Sequence, residues 1–116
     1  MGGREILMNK TTEKQVFTKA ITVYGADEQM RVAQEECAEL IQAISKYHRM
    51  YMKRKARNDH RYLDRAIKNL KEEIVDVQIM LDQLKIIFGF TQKELDEIRE
   101  GKIERLSNHL PGPEEE

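Results

Sequence analysis

At 116 residues with a formal net charge of −1, the chain is expected to form one domain, and its overall field selects neither a polyanion nor a membrane surface. Hydrophobic residues make up 40% and charged residues 35%, with 6% aromatic, no Trp and two Pro. This balance favours helices with one buried face each over a large sheet, and no apolar run is long enough to span a membrane. The single cysteine, Cys37, rules out a disulfide within one chain. With no secretory pattern either, the expected compartment is a reducing cytoplasm.

Residues 1–12 read as a flexible leading segment, of which 1–7 are set aside as an expression remnant or an upstream start. A single helical domain is expected over 13–110. Residues 14–24 predict a short first helix with Val16, Phe17, Ala20, Ile21 and Tyr24 on its apolar face. Gly25 suits the left-handed position that ends a helix. Asp27 can cap the next helix, and Glu28 favours its positive end.

The second helix runs from about Glu28 to at least Tyr47, with a weaker stripe reaching Lys53. Ala33, Cys37, Leu40, Ile41 and Ile44 recur at spacings of three and four and read as its buried stripe. Cys37 on that stripe is expected to be a small core residue. Glu36 and Glu39 share the flank beside it, among Val32, Leu40 and Ala43. A carboxylate among apolar neighbours loses hydration, which is costly unless a cation or donor compensates.

The third helix is expected from about His60 to Phe88, with Asn58 or Asp59 as its N-cap. Leu63, Ala66 and Ile67 face the core, followed by the stripe Leu70, Ile74, Val77, Leu81 and Leu84. Glu73 falls inside this stripe, and no Lys or Arg lies three or four residues from it. Asp76 sits one step round. Gly89 ends the helix. Thr91 to Glu94 is a capping box that starts a fourth helix, with Leu95, Ile98, Ile103 and Leu106 on its apolar side and Gly101 weakening its middle. Residues 111–116, PGPEEE, read as a disordered acidic tail.

The carboxylates are symmetrically placed. The numbers of Glu36 and Asp76 add to the same total, 112, as those of Glu39 and Glu73. An antiparallel hairpin with its tip near Ala56 therefore brings both pairs level. Four such groups repel unless some take up protons or a divalent cation binds. Oxygen-only ligands suit Mg²⁺, with Mn²⁺ as the alternative. A di-iron site needs Glu-x-x-His pairs, and none of His48, His60 and His109 follows a glutamate at that spacing. Zinc lacks a Cys/His cluster. No Gly-rich phosphate loop is present, so a nucleotide would be held through its metal and basic side chains.

Between Lys46 and Arg65 eight Lys and Arg stand against Asp59 and Asp64, a local charge of +6, with Tyr47, Tyr51 and Tyr62 interleaved. This stretch reads as a solvated hairpin tip, as a phosphate-attracting rim with Lys46 nearest the carboxylates, or as a nucleic-acid contact. The last ranks lowest, because the cations lie on several faces and the acidic patch next door repels a polyanion. A non-enzymatic helical interaction module using this stretch is the alternative function.

The run Glu35-Glu36-Cys37-Ala38-Glu39, followed by Glu73-Ile74-Val75-Asp76, resembles the EExxE…ExxD signature of the MazG-like all-α nucleoside triphosphate pyrophosphohydrolases. The surrounding EECAELIQAISKYHR and EEIVDVQIMLDQLKIIFG are similar to the short phage and prophage-type members, and the resemblance covers about residues 15–108. It implies an all-α antiparallel bundle around a helix 2–helix 3 hairpin, completed as a homodimer or homotetramer. It also implies Mg²⁺-dependent hydrolysis of a nucleoside or deoxynucleoside triphosphate to the monophosphate and pyrophosphate. By position, Glu36, Glu39, Glu73 and Asp76 match the metal ligands. Glu35 and Glu36 match the catalytic carboxylates, with Glu35 orienting or activating water. Lys46, Lys102 and Arg105 are candidates for phosphate contacts. The 33 residues between Glu39 and Glu73 exceed the spacing in many members. The extra length is expected to extend the hairpin beyond the site as a basic projection around Lys53 to Arg57.

Overall fold

Helix boundaries follow the local chemistry in a computed structural model that describes residues 10–57 and 60–113. Among these residues the chain forms four helices and no strand: α1 (Lys10–Tyr24), α2 (Ala26–Arg57), α3 (Arg61–Phe88) and α4 (Gln92–His109). The helix α1 takes in residues 10–12 of the expected flexible segment. Gly25 sits at φ 94 and its N–H donates to the Ile21 carbonyl at 2.8 Å, a conformation cheap only without a Cβ. The next helix resumes at once at Ala26. Asp27 therefore lies in the first turn of α2 and not at its cap.

At the far end α2 continues to Arg57, beyond Lys53. The expected caps Asn58 and Asp59 lie outside the described residues. His60, the residue before α3, makes no capping side-chain bond. Gly89 ends α3 at φ 69, and the Phe90 N–H donates back to the Lys85 carbonyl at 3.0 Å, satisfying a carbonyl that the helix end leaves open. The capping box forms as expected. Glu94 N–H donates to Thr91 Oγ1 at 3.1 Å and Thr91 N–H donates to the Glu94 carboxylate at 2.9 Å. Of the expected acidic tail, residues 114–116 lie outside the described residues, as do residues 1–9 of the leading segment.

An antiparallel α2–α3 hairpin is the body of this all-α fold, and α1 packs on both of its helices. Its register is marked by a buried pair: Gln29 Nε2 donates to Gln83 Oε1 at 2.7 Å. Their numbers add to 112, the total that also levels Glu36 with Asp76 and Glu39 with Glu73. The core between the helices is small, comprising Ala33, Ala43, Leu63, Ala66 and Met80.

Two expected stripes are corrected here. Cys37, Ile41 and Ile44 on α2 are exposed, as are Ile74 and Leu81 on α3. Of the expected α2 stripe Ala33 is buried, and it shares the face turned to α3 with Gln29, Glu36 and Ala43. Small residues at these positions let the helices approach, and the carboxylates come with them.

No residue of α4 is buried, and α4 makes no close backbone contact with any other helix. Gly101 sits within it, and a Cβ built there meets nothing within 4 Å. Gly101→Ala is therefore expected to stabilise α4 by roughly 0.5–1 kcal/mol. Circular dichroism should show greater helicity, and hydrogen exchange should show stronger amide protection along α4. No helix among the described residues is long and apolar enough to cross a membrane.

Candidate metal centre

The hairpin register brings three carboxylates together. One carboxylate oxygen from each of Glu36, Glu73 and Asp76 lies within 4.8 Å of the other two. All three residues are half-buried. The Oε2 atoms of Glu36 and Glu73 are buried without a hydrogen-bond partner. Water cannot solvate these atoms, and no protein donor replaces it, which is an expensive arrangement for an anion.

The electrostatics agree with this geometry. Burial pushes the Glu36 carboxyl above its ordinary range, and the charges of Glu39, Asp76 and Glu73 push it further. Burial also raises the Glu73 carboxyl, followed by Glu39 and Asp76. Glu39 thus acts on both groups from the exposed rim of the cluster. Of the four expected ligands, three converge and the fourth stands beside them.

Glu35 is placed differently. It is exposed and paired with Arg31, one turn earlier on α2. Arg31 also holds Glu28, its Nε donating to Glu28 Oε2 at 3.0 Å. This pairing keeps the Glu28 carboxyl below the usual carboxylate range. The arginine nearest in sequence to the cluster is therefore already occupied. Having residue 35 adjacent to 36 does not bring it inward, because consecutive helical residues point about 100° apart.

The donor set fits a hard divalent cation. Such ions bind carboxylate oxygens at about 2.0–2.6 Å. Two ligands on one ion then lie at most roughly 4–5 Å apart, which matches the separation of the three oxygens. The two unpartnered Oε2 atoms belong to residues of this same cluster.

Beside the cluster a hollow of about 580 Å³ opens between α2 and α3, lined by Glu39, Glu73, Ser45, Lys46, Arg49 and Asn69. Lys46 is where a phosphate contact is expected. Arg49 was not anticipated, although the spacing 39, 42, 46, 49 places it on the same α2 face as Glu39 and Lys46. Lys102 lines a separate groove between α3 and α4. Arg105 is exposed on α4, and neither residue lines this hollow.

Comparison with known proteins returns no relative. No family model matches the chain, and no curated protein or solved structure matches it.

Proposed function

We propose that the protein is a metal-dependent pyrophosphohydrolase that cleaves a nucleoside or deoxynucleoside triphosphate to the monophosphate and pyrophosphate, with Mg²⁺ or Mn²⁺ at the carboxylate cluster. The observation that carries this reading is the convergence of Glu36, Glu73 and Asp76, with two buried Oε2 atoms left unsatisfied. The resemblance of the EExxE and ExxD runs to the MazG-like signature supports it from the sequence side.

In this reading Glu36, Glu73 and Asp76 hold the ion, and Glu39 closes its rim. A divalent ion there supplies charge neutralisation to phosphate oxygens and acidifies water. Lys46 and Arg49 face the same hollow as Glu39 and Glu73. A triphosphate chain entering it would meet both the cationic side chains and the carboxylates that line it. This is the arrangement that binding of a metal-complexed polyanion needs. The water-orienting role expected of Glu35 requires Arg31 to release it.

The test is pyrophosphate release from a panel of standard and deoxy nucleoside triphosphates, with Mg²⁺ or with EDTA. Release is expected with the metal alone, and Glu36→Gln should lower it by at least about a hundredfold. A folded protein that neither binds Mg²⁺ or Mn²⁺ nor releases pyrophosphate would overturn the reading.

A further inference from the structure

Charge is unevenly spread along this chain. Residues 46–65 carry +6 and the whole chain −1, which leaves −7 for the rest. Such asymmetry within a nearly neutral chain marks a surface for a partner of opposite charge.

Most of the cations emerge on one side of the hairpin. The α2 face turned to α3 runs through Gln29, Ala33, Glu36 and Ala43. Lys46, Arg49 and Lys53, at spacings of three and four, form a row about a third of a turn round from it. On α3 the inward face runs through Glu73, Asp76 and Met80, and Arg61, Arg65 and Lys68 form a row displaced by a similar angle in the same sense. In an antiparallel pair, equal displacements come out on the same side. All six side chains are exposed. Among the described residues only Arg54 and Lys55 of the stretch point elsewhere, so the expected scatter over several faces is largely absent.

Lys46 and Arg49 line the hollow beside the carboxylates, whereas Lys53, Arg61, Arg65 and Lys68 lie outside it. Lys53, Arg65 and Lys68 form no ion pair among the described residues, unlike Arg31 and Lys85. The acidic patch does not cancel this charge. Lys53 lies 14 residues beyond Glu39, about 21 Å along the helix axis. Arg65 is level with residue 47, about 12 Å from Glu39 on the same count. Charges further apart than about 8 Å are largely screened at physiological ionic strength.

An open aromatic ring stands at the same end. Tyr62 is 55% exposed, with the Arg61 guanidinium 5.8 Å from its ring centroid. Tyr47 and Tyr51 are half-buried and stacked on each other, so they belong to the packing. Cations that track phosphates beside a ring that accepts a base are the parts with which proteins hold an unpaired strand. A membrane contact needs its cations flanking an apolar face, but Ile41, Ile44 and Leu81 emerge on the opposite side of the hairpin.

We propose that the far end of the hairpin binds single-stranded nucleic acid, with phosphates on Lys53, Arg61, Arg65 and Lys68 and a base on Tyr62. This is independent of the catalytic reading. The test is fluorescence anisotropy of a labelled oligodeoxythymidylate of about 20 nucleotides, longer than the sites such surfaces occupy. EDTA is present throughout, so that no cation at the carboxylate cluster contributes. The logarithm of the binding constant should fall with the logarithm of salt at a slope of about −3, from four contacts at about −0.7 each.

Lys53→Gln, Arg65→Gln and Lys68→Gln together should flatten the slope to about −1 and weaken binding at least about tenfold at about 50 mM salt. Tyr62→Ala should weaken it at least about fivefold and leave the slope unchanged. Lys14→Gln, Lys19→Gln and Lys93→Gln together remove the same charge from α1 and α4 and should change binding less than about twofold. All these side chains are exposed, so helicity should survive. If the triple tip variant loses it, Arg65→Gln alone decides, with a slope shallower by about 0.7. The proposal is overturned by a strand that does not bind at about 50 mM salt, by equal losses in the two triple variants, or by tighter binding of a duplex of the same length. It is also overturned if the tip substitutions release the chain from phosphatidylserine vesicles but not from the strand.

Discussion

Glu73→Gln is expected to abolish the stabilisation that Mg²⁺ or Mn²⁺ should give if it binds the carboxylate cluster and, without metal, to make the protein more stable at neutral pH than the natural chain. In the metal-free fold the Glu36 and Glu73 carboxyls are both held above their ordinary range, by burial first and by neighbouring carboxylates second. A carboxyl whose folded pKa is raised binds its proton more tightly in the native state. Its contribution is complete below the unfolded value, about 4.3 for Glu, and is lost as pH rises through the folded value. The natural chain without metal should therefore lose stability as pH climbs from that point, and the amide at position 73 should flatten the decline.

The proposed metal should act in the opposite sense, because a cation would bind the carboxylates in their charged form. At one hundred times its dissociation constant such a ligand would add about 2.7 kcal/mol, an expected rise of roughly 10 °C in a domain of this size. Thermal melts at pH 5 and pH 8, with and without each cation, check both halves. A Glu73→Gln protein that is less stable without metal, and shifts as far as the natural chain with it, would mean that the carboxylates do not share a site.

Ala43→Leu should destabilise the protein by about 1–3 kcal/mol through overpacking, lowering the melting temperature by roughly 4–12 °C. Ala43 is only 2% exposed, lies one turn after Glu39 and, on the hairpin's count, is level with Asn69. A larger side chain has nowhere to go except between the helices. Forcing them apart separates Glu36 and Glu39 from Glu73 and Asp76, so the metal-induced shift should shrink along with the stability. Ala38→Leu on the exposed side of the same helix is the control, expected within about 0.5 kcal/mol of the natural chain. Equal effects at the two positions would mean that the close approach at Ala43 does not position the cluster.

Much of the hairpin was legible before any coordinates, because helical spacing and antiparallel pairing are both arithmetic. A total of 112 levels the carboxylates, and the Gln29–Gln83 hydrogen bond obeys it without having been anticipated. Gly89 and the Thr91 box were legible because caps depend on local chemistry alone. The direction of the α2 stripe was not. Apolarity suggested that Cys37, Ile41 and Ile44 face the core along with Ala33, whereas only Ala33 of these is buried and Ala43 joins it at the contact with α3. A stripe that is apolar but exposed in one chain cannot be told by pattern from one that is buried. The position of Glu35 was also hidden, since its link to Arg31 depends on which way α2 is rolled.

The length of the hairpin beyond the carboxylates bears on the order in which the chain folds. Leu63 and Ala66 are buried near the tip, where the two helices are fewest residues apart along the chain. Contacts there close the smallest loops and cost the least chain entropy. Pairing can begin at the tip and run towards Gln29 and Gln83, reaching the mutually repelling carboxylates only after the helices are aligned. The repulsion then falls late on the pathway, where it speeds unfolding more than it slows folding. The hairpin extension beyond the cluster lets a chain with so small a core assemble an electrostatically unfavourable cluster without having to nucleate on it.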